Sequence, residues 1–241
     1  MKTYKARGIV LHTVKYGDSS LIAYLLTDIG GRQTYMIQGV RSTRGRGNKG
    51  ALFQPMFVLE FEGIESSRAE LHRMKEVSNL IPLMSVPFDV RKSTVALFMA
   101  EVLYRLIREV EPNSPLFDFV CQAIVALDRM ETGTANFHLW FLVRLSAFLG
   151  FYPGNEYMPG DCFDIREGVF RPSIPDHRMI LAPEQAATLA ALMEVPIDSL
   201  ASIPLGRHQR SDFMSGMLAY FGYHFDSIHE VRSINILREV F

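Results

Sequence analysis

Two cysteines, Cys121 and Cys162, are all that 241 residues carry. That excludes a four-thiolate zinc centre and a disulfide scaffold, and it fits a reducing compartment. Long apolar runs are missing too. The longest, Leu21–Leu26 and Val95–Ala100, are six residues each, against the roughly 20 needed to cross a bilayer. Behind Met1–Lys5 only Ile9-Val10-Leu11 precedes His12, too little for the core of a signal peptide. The expectation is a cytoplasmic protein with no membrane segment.

Catalytic motifs are equally scarce. The seven histidines include no pair at the i, i+4 spacing of a helical zinc site, and there is no HExxH or GxSxG. Gly45–Gly50 looks like a phosphate loop, but Ala51-Leu52 follow where Lys and Ser or Thr are required. Glu60 and Glu62 share one strand face and could hold magnesium, or they are the wet face of an amphipathic strand. Asp176-His177 is an acid–base pair by adjacency only. No cofactor and no metal are expected, and the chain does not read as an enzyme.

What is present is a split in charge. Residues 1–50 hold nine Lys and Arg against two Asp, whereas the whole chain is at −1. One end of the molecule is suited to a polyanion. The centre of that excess is Arg41-Ser42-Thr43-Arg44-Gly45-Arg46-Gly47-Asn48-Lys49-Gly50, with four bases, three glycines and no acid. Glycine lets backbone approach a ligand closely, and arginine offers forked donors to phosphate oxygens. Such a loop grips a nucleic-acid backbone without reading sequence, or else is a solvated hairpin loop.

Periodicity divides the chain. Ala6–Tyr16, Ser19–Thr27, Gly31–Gly39, Pro55–Ile64 and Ala69–Ser78 read as five strands. Five short strands without a long helix fit a small closed barrel. Beyond Pro82 and Pro87, Val95, Phe98, Val102, Leu106 and Val110 form a helical stripe. Ser114-Pro115 opens a second helix and Gly150 closes a third. Residues 151–181 are rich in turn formers, with Phe163-Asp164-Ile165 and Gly168-Val169-Phe170 as a candidate hairpin. Helices return over Pro183–Val195, Ser211–Phe225 and the stretch ending at Phe241. Bases with free π faces need stacking platforms, and Tyr16 and Tyr35 are the strand tyrosines proposed for that role.

Gly8-Ile9-Val10-Leu11, Tyr16-Gly17-Asp18-Ser19-Ser20, Leu26-Thr27 and Gly30 together resemble the opening of the RecO family of bacterial recombination mediators. Gly39-Val40-Arg41 with the bases after it, and Leu52-Phe53-Gln54-Pro55-Met56, are similar to that family's glycine–basic loop and following strand. Phe148–Pro153 resembles its helix-end turn, and His229-Glu230-Val231-Arg232-Ser233 with Leu237 its closing segment. The ordered set spans nearly the whole chain. The resemblance implies an α+β protein: an OB-fold over 1–80, a helical domain over 81–150, a zinc-finger-like subdomain over 151–181 and C-terminal helices over 182–241. It implies binding of single- and double-stranded DNA, annealing of complementary strands, and help in loading RecA. It also implies RecR and the acidic tail of single-stranded-DNA-binding protein as partners.

Zinc-bearing members of the family carry two C-x-x-C pairs after that turn. Here residues 152–178 hold only Cys162, so zinc is not carried over. The residues assigned to DNA are Lys15, Tyr16, Arg32, Tyr35, Arg41, Arg44, Arg46 and Lys49. Arg91, Lys92 and Phe98 are assigned to the partner tail, because adjacent cations beside an apolar helix suit a carboxylate next to an apolar side chain. A magnesium nuclease at Glu60 and Glu62 and a scaffold without DNA contact are the alternatives.

Overall fold

The computed structural model describes residues 3–40, 49–64 and 71–241. They form two compact units, 1–128 and 129–241.

In the first unit five strands close into a barrel. They are β1 (Thr3–Tyr16), β2 (Ser20–Thr27), β3 (Arg32–Ile37), β4 (Val58–Ile64) and β5 (Leu71–Ile81), in the order β1-β2-β3-β5-β4. Every neighbouring pair is antiparallel except β3 with β5. This is the small closed barrel that the alternation predicts, in the OB-like form that the resemblance implies. Ala6, Val10, Ala23, Leu25, Leu59 and Phe61 help to fill it. The interior is so narrow that Gly8 has to be glycine. A Cβ there would stand 2.8 Å from Leu25 Cδ2 and 3.0 Å from Phe61 Cε1.

β1 changes phase half-way. Ala6 faces Phe61 and Val10 faces Leu25, so even-numbered residues point inward. The register slips between Val10 and His12, a β-bulge at Leu11. Beyond it Thr13 pairs with the buried Ala23, so odd numbers now point in. His12, Val14 and Tyr16 therefore lie on the outer face.

Two helices complete this unit, α1 (Val90–Leu106) and α2 (Ser114–Arg129). The Asp89 carboxylate caps α1 by accepting from the amides of Arg91 and Lys92. Val95, Phe98, Val102 and Leu106 are buried, but Val110 is 66 % exposed. The stripe stops short of Val110 because the helix ends at Leu106 and the next residues cross the β2–β3 turn. There Arg32 N–H donates to Glu109 O at 2.9 Å. Gly31, at φ +49°, is what lets the chain through, since a Cβ would collide with Glu109 O. The side chain that opens α2 is Asn113, which accepts from Leu116 N–H at 3.1 Å, in place of the predicted Ser114. Arg7 ties α2 to the barrel: its guanidinium bonds Asp28 at 2.9 Å and sits 5.2 Å over the Phe117 ring.

The second unit is built around α3 (Thr134–Phe148). Phe137, Leu139, Phe141, Leu142, Val143 and Leu145 all have 0 % exposure, so most of this helix's circumference is apolar and enclosed, and Arg144 marks its open side. α4 (Pro183–Glu194) and α5 (Arg207–His224) pack on it. β6 (Cys162–Asp164), β7 (Val169–Arg171) and β8 (Ile180–Leu181) form a small sheet in the order β7-β6-β8. Phe163 on β6 meets Phe170 and Tyr220 edge-on, at 5.2 and 5.1 Å. α6 (Ser233–Val240) comes last. Among the described residues no helix is long and apolar enough to cross a membrane.

Candidate nucleic-acid interface

The structure gathers part of the predicted DNA set at one corner of the barrel. Lys15 and Tyr16 end β1, and Tyr16 pairs with Ser20 across the β1–β2 turn. Both are exposed, Tyr16 by 54 %. Lys15 follows the inward phase but stands at the rim, where its stem can leave the core and its ammonium reach water. Val40 N–H donates to Ser19 O at 2.9 Å, which fixes the start of the glycine–basic segment beside this turn. Arg41, Arg44 and Arg46 lie outside the described residues. Lys49 is exposed on a 3₁₀ turn, Lys49–Leu52, whose Leu52 packs on the same core as Val40.

A row of apolar side chains on the outer face escaped sequence reasoning. Val14 pairs with Ile22, and Ile22 with Met36. Val14 is 42 % exposed, and the other two are half-buried. The signal was there as period two, but only if the bulge at Leu11 is known. Next along the face, His12, Tyr24 and Tyr104 form an aromatic cluster, with centroids 4.6 to 5.9 Å apart. Burial, and secondarily Arg105, lower the His12 pKa, which favours a neutral imidazole there.

Two of the assigned DNA residues are elsewhere. Tyr35 is fully buried. It follows the inward phase of β3, its ring lies edge-on to Phe61 at 4.8 Å, and its hydroxyl donates to Gln33 Oε1 at 2.6 Å and lies 3.1 Å from that of Tyr4. Burial and the bond to Tyr4 raise its pKa. It is a core residue and offers no face to a base. Arg32 is half-buried beneath α1, donates to Tyr104 O at 2.6 Å and lies 5.2 Å over the Tyr104 ring. Burial lowers its pKa. Its work is to hold the end of α1.

The assigned tail residues do not make a groove. The Lys92 ammonium is buried, donating to Ser85 Oγ at 2.7 Å and Asp128 O at 2.8 Å. The Asp128 carboxylate accepts the amides of Met84, Ser85 and Val86 at 2.8 to 2.9 Å. Burial raises that carboxyl, but these bonds outweigh it and hold it below the usual range. This knot fastens the segment before α1 to the end of α2. Phe98 has 0 % exposure. Of the three, only Arg91 is exposed.

Charge also marks a face that nucleic acid would avoid. A shallow cavity of about 340 Å³ on β4 and β5 is lined by Glu60, Glu62 and Glu76 against Lys5. Among the described residues no group of three or more His, Cys, Asp or Glu is placed to hold a metal ion.

In the second unit a cleft of about 110 Å³ opens between α3, the start of α5 and α6. Its floor is apolar, with Met214, Leu237 and Phe241. Arg207, Arg210 and Arg238 supply its charge. His138 lies in its wall, and burial, then Arg210, push its pKa down to about 3.

The family model described as Recombination protein O N terminal matches residues 1–81, the barrel. The one described as Recombination protein O C terminal matches residues 87–232. The chain belongs to the RecO family. It is 37 % identical over 239 residues to the DNA repair protein RecO of Bacteroides fragilis, covering 98 % of each chain. The RecO of Phocaeicola vulgatus is 36 % identical over 238 residues, and that of Flavobacterium psychrophilum 32 % over 238, each again covering 98 % of both chains.

The zinc of some RecO proteins finds no donor set here. Cys162 Sγ, at 3.5 Å from the carbonyls of Arg171 and Ser173, is spent as a thiol donor. The polar centre of the small sheet is instead Asp164, fully buried. Its Oδ1 accepts the amides of Arg166 and Glu167 at 3.0 and 3.1 Å. Arg171 Nε and His177 Nε2 each stand 3.4 Å from the carboxylate. His177 Nδ1 accepts from Met179 N–H at 3.0 Å, which leaves the ring proton on Nε2, facing Asp164. Those residues do not fit a zinc ion.

Proposed function

We propose that this chain binds single- and double-stranded DNA at the Tyr16 corner of its barrel and anneals complementary strands. In recombinational repair it then helps RecA load onto DNA coated by single-stranded-DNA-binding protein. The observation that carries this is the Val40–Ser19 hydrogen bond. It anchors the start of the segment bearing Arg41, Arg44, Arg46 and Lys49 next to Lys15 and Tyr16, while carboxylates collect on β4 and β5. Annealing needs phosphate repulsion neutralised while base edges stay free to pair. Cations at the rim and stacking on Tyr16, with the Val14–Ile22–Met36 row beside it, meet both needs. No covalent step is involved. RecR is taken as a partner from the family resemblance alone.

The acidic tail of the single-strand-binding partner suits the cleft of the second unit better than Arg91 and Lys92. A carboxylate beside an aromatic or apolar side chain needs a forked cation next to an apolar floor. Arg207 and Arg210 over Met214 and Leu237 offer that pair.

The test is a salt titration of DNA affinity combined with an annealing assay. Changing Arg41, Arg44, Arg46 and Lys49 together to alanine should leave the fold intact. It should shallow the slope of log affinity against log salt by about 3, roughly 0.7 for each single-strand phosphate no longer neutralised. An unchanged slope and affinity would move the DNA surface elsewhere. Shortened strands in the presence of magnesium would favour a nuclease at Glu60 and Glu62.

A further inference from the structure

α6 has eight residues, too few to be helical alone in water. It is held at its carbonyl end. The Arg207 guanidinium donates to the main-chain oxygens of Arg238 and Glu239, and that of Arg210 to Phe241 O at 2.8 Å. The Phe241 ring stacks on His138, centroids 5.7 Å apart and planes at 24°. Leu237 is buried beneath it.

Two of the three arginines that make the cleft basic, Arg207 and Arg210, are therefore already engaged by main-chain oxygens of α6 and Phe241, and part of the apolar wall is lent by Phe241. The partners of Arg207 are amide carbonyls, and a carboxylate accepts the same N–H groups about twice as strongly as a neutral oxygen. A ligand ending in a carboxylate and an aromatic ring supplies both of the things α6 now provides. We propose that α6 with Phe241 is a latch on the cleft, and that an acidic peptide with an aromatic end takes Arg207 and Arg210 by displacing it. The proposal rests on the reading of this cleft as the tail site. Released, α6 loses its caps and its packing together, and its backbone opens. The chain thereby reports through α6 whether the cleft is filled, and the closed latch sets a threshold for filling it. Apparent affinity is the open-state affinity multiplied by the fraction of time the latch is open.

The probe is a synthetic peptide of four aspartates followed by Leu-Phe with a free carboxylate. Hydrogen exchange of the full chain with and without peptide, and peptide titrations of wild type, Phe241→Ala and Arg210→Ala, form the experiment. With peptide bound, amides of 234–241 should exchange at least about tenfold faster, as local opening requires. Phe241→Ala, which weakens the latch, should bind roughly three- to tenfold tighter. Peptide binding that needs Arg210 but leaves α6 protection unchanged or higher would overturn the latch and keep the tail site. Equal or weaker binding by Phe241→Ala would do the same. No binding to wild type or to Phe241→Ala would overturn both. The exchange measurement uses wild-type chain, so it decides the matter even where a variant is unstable.

Discussion

The barrel and the small β7-β6-β8 sheet hold short strands together by opposite means. The barrel closes on itself, so every strand has two neighbours, and its interior is filled by side chains packed until only glycine fits at position 8. The small sheet has three strands of two or three residues and cannot close. It has aromatic contacts on one side and, at its centre, a buried carboxylate bracketed by an arginine and a histidine. Closure leaves Lys15 and Tyr16 exposed at one corner of the rim, and the proposed DNA surface lies there. The small sheet spends its charges on itself.

Substitutions should therefore have different signatures in the two. Tyr35→Ala empties the barrel centre and should cost about 4 kcal/mol in unfolding free energy, with DNA binding lost alongside; denaturant melts followed by circular dichroism would measure it. A stable variant with weak DNA binding would restore Tyr35 as a contact. Asp164→Asn keeps shape and removes charge, leaving Arg171 and His177 facing an amide. Because Arg171 is partly open to water, the cost should be smaller, about 2 kcal/mol. Trp140, the single tryptophan, lies in the second unit and reports on it by fluorescence. Chelators should leave that melt unchanged, and elemental analysis should find no stoichiometric zinc.

Acid should act next. His138 has its pKa lowered from 6.5 to about 3 in the folded chain. Between those values the unfolded chain binds a proton that the folded chain refuses, so stability falls as pH drops from 6.5 towards 3. The slope is at most about 1.4 kcal/mol per pH unit for one proton. His138→Gln should flatten the Trp140-detected acid profile over that window; an unchanged profile would assign the sensitivity elsewhere. The smallest effect sharpens the rim. Tyr16→Ala should leave stability unchanged and weaken single-strand binding about tenfold, the loss of one stacked base, with less effect on duplex, whose bases are already stacked. Equal losses on both substrates would make Tyr16 a backbone contact.

Strand number, barrel closure and the main helices are legible in the residue order because alternation and the 3.6-residue stripe survive there. Where the sequence misleads, the cause is shared: residue type does not fix exposure. Tyr35 has the chemistry of a stacking platform, but β3 turns it inward. Arg32 has the chemistry of a phosphate contact, and only the path of residues 107–111 over the β2–β3 turn shows it held by α1. Lys92 looks like a free cation, although its partners, Ser85 and Asp128, come from two other segments. Such pairings depend on contacts between distant parts of the chain, which no local pattern encodes. The cleft of the second unit is illegible for the same reason, since α3 is far from α5 and α6 in the sequence.

The bulge at Leu11 works as a spatial reading frame. Upstream of it β1 is written in one frame, which serves the core and α2; downstream it is written in the other, which serves the rim. Leu11 is the residue of β1 that has no partner on β2, so removing it would join Val10 to His12 in unbroken alternation and leave Val14 and Tyr16 outside. Keeping Leu11 but flattening the bulge is the true frameshift: Leu11 would face Tyr24, His12, Val14 and Tyr16 would swing into a barrel with no room for them, and Thr13 and Lys15 would take the outer face.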